Sequence, residues 1–135
     1  WPWPIFTSST VTVQKSSFIA AATRLTSPAE LPVLLEYLRL ITPRIKKATH
    51  PAIYAYRTRL NHSSSPSTGN LQFAVGHSDD GEHGAGLRLE RLLQLSNAQD
   101  CAIVVTRWHG GVPLGSARWK CISKTAKEAL ALHKK

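Results

Sequence analysis

The chain has 135 residues, 42% of them apolar, and a formal charge of +9. That length predicts one domain with a real core, and that composition excludes a wholly disordered chain. No apolar run approaches the roughly 18 residues of a membrane span. Cys101 and Cys121, the only cysteines, make neither a disulfide framework nor a CxxC metal pair, so a reducing compartment, the cytoplasm, is the default. The charge favours acidic partners: RNA, ribosomes or acidic protein surfaces. The plain alternative is a basic, well-solvated surface with no nucleic-acid role.

The N-terminus, Trp1-Pro2-Trp3-Pro4, has no basic start and no initiator Met. The chain is therefore expected to be trimmed or part of something longer. Residues 1–9 are aperiodic and predict an irregular arm, with residues 10–135 forming a single domain. Residues 10–14 alternate and are β-branched, which predicts a strand. Lys15-Ser16-Ser17 is a polar break, and Phe18 to Thr23 predicts the second strand of a hairpin. Ser27-Pro28-Ala29-Glu30 is a helix start, with Ser as N-cap, Pro at the first helical position and Glu at the third. Leu31, Leu34, Leu35, Leu38 and Ile41 then recur at spacings of three and four on one apolar face. Pro43 ends that helix, and Arg44-Ile45-Lys46-Lys47 adds a basic patch at its end.

Ala52 to Leu60 predicts a third strand, with Ile53, Ala55 and Arg57 on one face and Tyr54 and Tyr56 on the other. Residues 61–70 predict a loop. Leu71 to Gly76 predicts a fourth strand, the partner of the third. A second amphipathic helix carries Ala85, Leu89, Leu92 and Leu93 and stops at Ser96-Asn97. Cys101 to Thr106 is nearly continuous apolar and predicts a central strand covered on at least one face. Ser116 is expected to N-cap a last helix with Ile122, Ala126, Ala129 and Leu130 as its inner stripe. The order ββαββαβα, rich in hairpins, predicts an α+β two-layer sandwich: a mostly antiparallel sheet with helices on one face.

Two polar, glycine-bearing loops bracket the second helix and the central strand. The first is Asp79-Asp80-Gly81-Glu82-His83. Its Asp79, Asp80 and Glu82 admit two readings. They are a carboxylate cluster for Mg²⁺ or Ca²⁺, hence a metal-dependent hydrolase, or a turn whose acids bond their own backbone and feed a helix N-terminus. No EF-hand spacing, HExxH or Cys/His ligand set accompanies them. The second loop runs from Trp108 and His109 through Gly110 and Gly111 to Gly115. It admits a phosphate cradle at a helix N-terminus, with Arg107, Arg118 and Lys120 adding charge, or a tight strand-to-helix connection that needs glycine angles. Neither Walker A nor GxGxxG spacing is present, and no base stands beside either cysteine. His50 reads as a hydrogen-bonded structural group, and Tyr54, Tyr56 and Trp108 as core aromatics or base-stacking surfaces.

Four blocks in order resemble the IMPACT family, in the ancient domain shared by eukaryotic IMPACT proteins and bacterial YigZ-type proteins. They are Lys15-Ser16-Ser17-Phe18; Ala48-Thr49-His50 with Ile53-Tyr54-Ala55-Tyr56-Arg57; Asp79-Asp80-Gly81-Glu82 with Ala85-Gly86; and Val104 to Gly111 with Leu114-Gly115. The resemblance covers about residues 10–130 and is eukaryotic or fungal in type. It implies a fold like domain 2 of ribosomal protein S5. It also implies a non-enzymatic role around translation, with no cofactor, metal or catalytic residue. The partners implied are the activator of the general control eIF2α kinase, actin and the ribosome, with RNA as the alternative partner, no membrane, and a monomeric chain. Two departures are noted: the chain carries neither the RWD domain of eukaryotic members nor the C-terminal ferredoxin-like domain of bacterial ones. His109 and Pro113 also stand where Tyr or Phe and Ile or Leu are commoner. The binding surface implied draws on Asp79, Asp80, Glu82, Arg107, Trp108, His109, Gly110, Gly111, Gly115, Arg118, Lys120, His50, Tyr54 and Arg57. The two loops are expected to lie together beside the central strand.

Overall fold

The computed structural model describes residues 1–60 and 72–135. The expected loop at 61–70 and the start of the fourth strand at Leu71 lie outside the described residues. Six strands form one antiparallel sheet: β1 Ile5–Thr7, β2 Val11–Val13, β3 Ser16–Arg24, β4 His50–Arg59, β5 Phe73–Ser78 and β6 Cys101–Trp108. The order across it is β1-β3-β6-β4-β5, with β2 paired to the other end of β3. Among the described residues three α-helices join this sheet: α1 Leu31–Ile41, α2 Ala85–Leu95 and α3 Ala117–His133.

The α+β class and the antiparallel sheet are as the element order predicts, but the expected two layers with helices on one face are corrected: α1 covers the face opposite α2 and α3. The parity of β6 sets this division, since successive strand side chains point to opposite faces. Its Cys101, Ile103 and Val105 join Phe18, Ala20, Ala22, Ile53 and Ala55 under α2 and α3. Its Ala102 and Val104 face the other way, under Leu31, Leu34 and Leu38 of α1. A strand covered on both faces reads as a near-continuous apolar run. β6 is buried from Cys101 to Arg107, apolar through Val105 and polar only at Thr106 and Arg107, whose side chains are hydrogen-bonded. On the α3 side the strand residues Ala20 and Ala22 and the helix residues Ala126 and Ala129 are all buried. Small side chains on both surfaces let helix and sheet approach closely. Each fully buried Phe, Leu or Ile in these layers contributes roughly 1.5–3 kcal/mol.

Local signals explain most boundaries. Ser27 and Glu30 form a reciprocal capping box, with Glu30 Oε1 accepting from the N–H groups of Ser27 and Thr26 at 3.0 and 2.8 Å. Ser96 Oγ donates to the Leu92 carbonyl, and Asn97 turns left-handed at φ 54°, which ends α2. Pro51 interrupts the register of β4 between His50 and Ile53, and Thr106 Oγ1 donates to its carbonyl at 2.8 Å.

Several expectations need correction. Residues 1–9 are not wholly irregular: β1 pairs with β3, and Trp1 Nε1 donates to Thr23 Oγ1 at 3.0 Å. A strand of three residues is too short to show a period. Lys15-Ser16-Ser17 is not a polar break. Gln14 and Lys15 form a two-residue turn with both φ positive, and Ser16 is already in β3 and fully buried. Ile41 lies at the end of α1 with 48% exposure rather than on its inner face. Ser116 sits at the start of α3 but makes no side-chain cap bond.

Candidate functional site

The buried carboxylate of Glu82 organises the junction between the two loops. The residue is 1% exposed, and burying a lone charge is costly enough that it must be paired. Three cationic or ionisable side chains from three elements surround it. Arg107, at the end of β6, donates from Nη1 to Oε1. His50, at the start of β4, places Nε2 3.1 Å from the same oxygen. Arg118, in the first turn of α3, brings Nε to 3.0 Å from Oε2 without the alignment of a hydrogen bond. Arg107 is itself 2% exposed, so this is an internal ion cluster.

The other two acids of the turn serve the backbone. Asp79 accepts from the N–H groups of Gly84 at 3.0 Å and Gly86 at 2.8 Å, ahead of α2. Those two bonds, with Gly84 the larger influence, lower its pKa below the usual carboxylate value. Asp80 Oδ2 accepts from the Ala52 N–H at 2.7 Å, and its carbonyl oxygen lies 2.7 Å from His50 Nδ1. Both ring nitrogens of His50 therefore face oxygens. Gly81, at φ 90°, passes so close to this ring that a Cβ would lie 2.8 Å from Nδ1. The three acids thus diverge, each to its own target. Among the described residues no group of three or more His, Cys, Asp or Glu is placed to hold a metal ion. The bonds of Asp79 and Asp80 to backbone N–H groups support the turn reading of the acids.

The glycine loop meets the same junction from the other side. His109 donates its N–H to Thr49 Oγ1 at 2.9 Å, next to His50. The Gly110 N–H donates to Ser16 Oγ at 3.0 Å. A Cβ on Gly110 would overlap the Lys15 carbonyl group, so only glycine lets the loop pass over the β2–β3 turn. Gly111 and Gly115 hold φ of 88° and 57°, which supports the connection reading of the loop. The Gly111 N–H donates to His109 Nδ1 at 2.8 Å. The Ala117 and Arg118 N–H groups bond the Leu114 and Gly115 carbonyls, so the α3 N-terminus offers fewer free donors than a cradle needs.

The two loops therefore lie together at one end of the central strand, joined through Glu82 and Arg107. The other expected surface residues do not all gather there. Arg107 is corrected from surface to interior: a side chain this buried and this paired cannot touch a partner. Trp108 turns to the α1 face, where its Nε1 donates to the Arg44 carbonyl at 3.0 Å under the Arg44 guanidinium. Tyr54 stacks on Tyr56 on that same face. Arg57 pairs in register with Cys101, at the far end of β6 from the His50–Arg107 pair, and donates to the Ala98 carbonyl at 2.6 Å. Tyr54 and Arg57 therefore lie outside the junction. Gly115, Arg118 and Lys120 border a separate cleft between α2 and α3. Ser16 and Thr49 hold the loop in place and were not singled out as site residues; they stand inside the blocks that carry the family resemblance.

Known proteins resemble this chain over most of its length. The Impact N-terminal domain matches residues 14–130. Protein IMPACT-A of Xenopus tropicalis is 37% identical over 131 residues, covering 97% of this chain but 38% of its own length. The Saccharomyces cerevisiae IMPACT family member YDL177C is 33% identical, covering 87% of this chain and 84% of its own length. Among solved structures, the two-domain translational regulator Yih1 superposes with a TM-score of 0.61 at 30% identity, over 97% of this chain and 46% of that one. The chain thus spans about two fifths of the length of the frog relative and about five sixths of the yeast one, and it belongs to the IMPACT family through its Impact N-terminal domain.

Proposed function

We propose that this chain is a non-enzymatic binding module that regulates translation in the cytoplasm. The observation that carries the reading is the likeness to a translational regulator across 97% of the chain. The internal chemistry fits it: the acids of the turn bond backbone N–H groups at the start of α2 and in β4, and an internal ion cluster. In its finer form, the reading is that the module engages the activator of the general control eIF2α kinase or the ribosome, with actin as a further partner. The junction of the two loops is cross-linked by side-chain bonds and exposes His109, Gly111 and Val112, a surface suited to docking. A chain with a charge of +9 should meet an acidic partner quickly and with strong dependence on salt.

The test is co-sedimentation with ribosomes, alongside pull-down of the kinase activator, at low and high salt. Association at low salt that weakens as salt rises is expected. No association with either at low salt overturns the reading.

A further inference from the structure

One cleft lies outside the junction and is used by nothing described so far. It has a volume of about 380 Å³ and opens between the start of α2 and the start of α3. His83, Arg88, Arg118 and Lys120 line it, with Ser116 and Trp119. We propose that this cleft is an oxyanion site that takes the phosphoryl group of a phosphate ester, either free in solution or carried on a single RNA strand.

The charge balance comes first. Arg118 and Arg107 share the single carboxylate of Glu82. Two guanidinium groups against one carboxylate leave one positive charge uncompensated at the back of the cleft. Arg88 and Lys120 are exposed, and among the described residues neither is ion-paired. Leaving His83 aside, the lining therefore carries about three unbalanced positive charges. Such a concave cationic wall concentrates anions.

The donors are also suited in kind. Arg118 spends Nε on Glu82 and leaves its terminal nitrogens uncommitted among the described residues. A guanidinium edge offers two parallel N–H donors that match an oxyanion. Arg88 stacks with its guanidinium 5.2 Å from the Trp119 ring centre, which restrains a side chain that would otherwise sample many rotamers. Ser116 makes no bond to the helix it precedes, so its hydroxyl is available to a ligand. These groups come from α2 and from the start of α3, the two sides of the cleft. Donors on two sides suit a tetrahedral phosphoryl group, whose non-bridging oxygens point in different directions, better than a carboxylate, whose two oxygens lie in one plane.

The experiment titrates the folded full chain at low salt with pyrophosphate, AMP, a short single RNA strand and an oligoglutamate of matched charge. Lys120→Glu and Arg88→Glu are compared with Lys47→Glu, a charge-matched change at an exposed position on the α1 side. Thermal melting checks that each variant folds. The proposal expects saturable binding of the phosphate probes, weakened about tenfold or more by each cleft change and much less by Lys47→Glu. RNA binding tighter than AMP, with a salt slope lowered by about one per lost contact, identifies the strand as the source. Equal or tighter AMP binding identifies the free ester. The proposal is overturned if no phosphate probe saturates, if all three variants weaken binding alike, or if oligoglutamate binds as well as pyrophosphate.

Discussion

Arg107 and Glu82, 25 residues apart in sequence, form an ion pair in which neither residue is more than 2% exposed. The pair joins the central strand to the turn that starts α2, and through Arg118 it reaches α3. Removing one member of such a pair leaves a charge buried without its partner. Glu82→Ala should therefore cost about 3–5 kcal/mol of stability, and Arg107→Ala a similar amount. The two losses should fall well short of additive in the double variant, because both remove the same interaction. Urea denaturation of the four proteins measures this. A single-variant loss under about 1 kcal/mol would place the pair with ordinary surface bridges.

Gly110 makes a second, independent constraint at the same junction. It has no need of an unusual φ, but a side chain there would strike the backbone of Lys15. Backbone cannot swing aside as a flexible side chain can. Gly110→Ala should cost about 1–3 kcal/mol, the range for overpacking a tight site. It should also loosen the Gly110–Ser16 bond, which amide hydrogen exchange at Gly110 would report as faster exchange. Unchanged melting and exchange would show that the loop lifts away without strain.

What could be read in the sequence was what local chemistry decides. The Ser27–Glu30 capping box, the stop at Asn97, the face alternation of Ile53 and Ala55 against Tyr54 and Tyr56, and the apolar run of β6 all depend on neighbours within a few residues. The division of the helices between faces depends on pairings across the sheet, and nothing in the period of α1 tells which face it covers. The site was legible as a meeting of two loops, through the family blocks. Its interior was not. Glu82 and Arg107 are charged types that read as surface, and burial of each is possible only because the other arrives from a distant segment. The cleft escaped for a similar reason. Arg88 lay on a helix treated as core packing, and it faces Lys120 only once α2 and α3 are side by side.

Asp79 links the acidic turn to pH. The Gly84 and Gly86 N–H groups stabilise its carboxylate, so the folded pKa lies below the unfolded value of about 3.8. For an acid whose pKa is depressed by folding, the added stability is present above the unfolded value. It is lost as pH falls through the folded one. Asp79→Ala should cost about 0.5–2 kcal/mol near neutral pH, as loss of a helix-capping carboxylate does. The gap between variant and parent should narrow below about pH 4. Urea midpoints across that range test it, and a gap that widened toward acid would refute the assignment.

The two cysteines offer a probe of the same packing from its centre. Burial pushes the Cys101 thiol up to about 12, and burial also raises Cys121. The thiolate is the reactive form, so near neutral pH only about one Cys101 in 10⁵ is ionised in the folded protein. Cys101 sits beneath α3 and Cys121 on α3 itself, both in the larger core. An alkylating reagent should therefore leave both thiols intact in the native protein and modify both in urea. Slow native labelling, where seen, should follow the opening of α3 from the sheet. Glu82→Ala, which removes the carboxylate facing Arg118 at the start of that helix, should accelerate it in proportion to the stability it costs. Rapid labelling of Cys101 in the folded parent would mean that α3 does not seal the sheet.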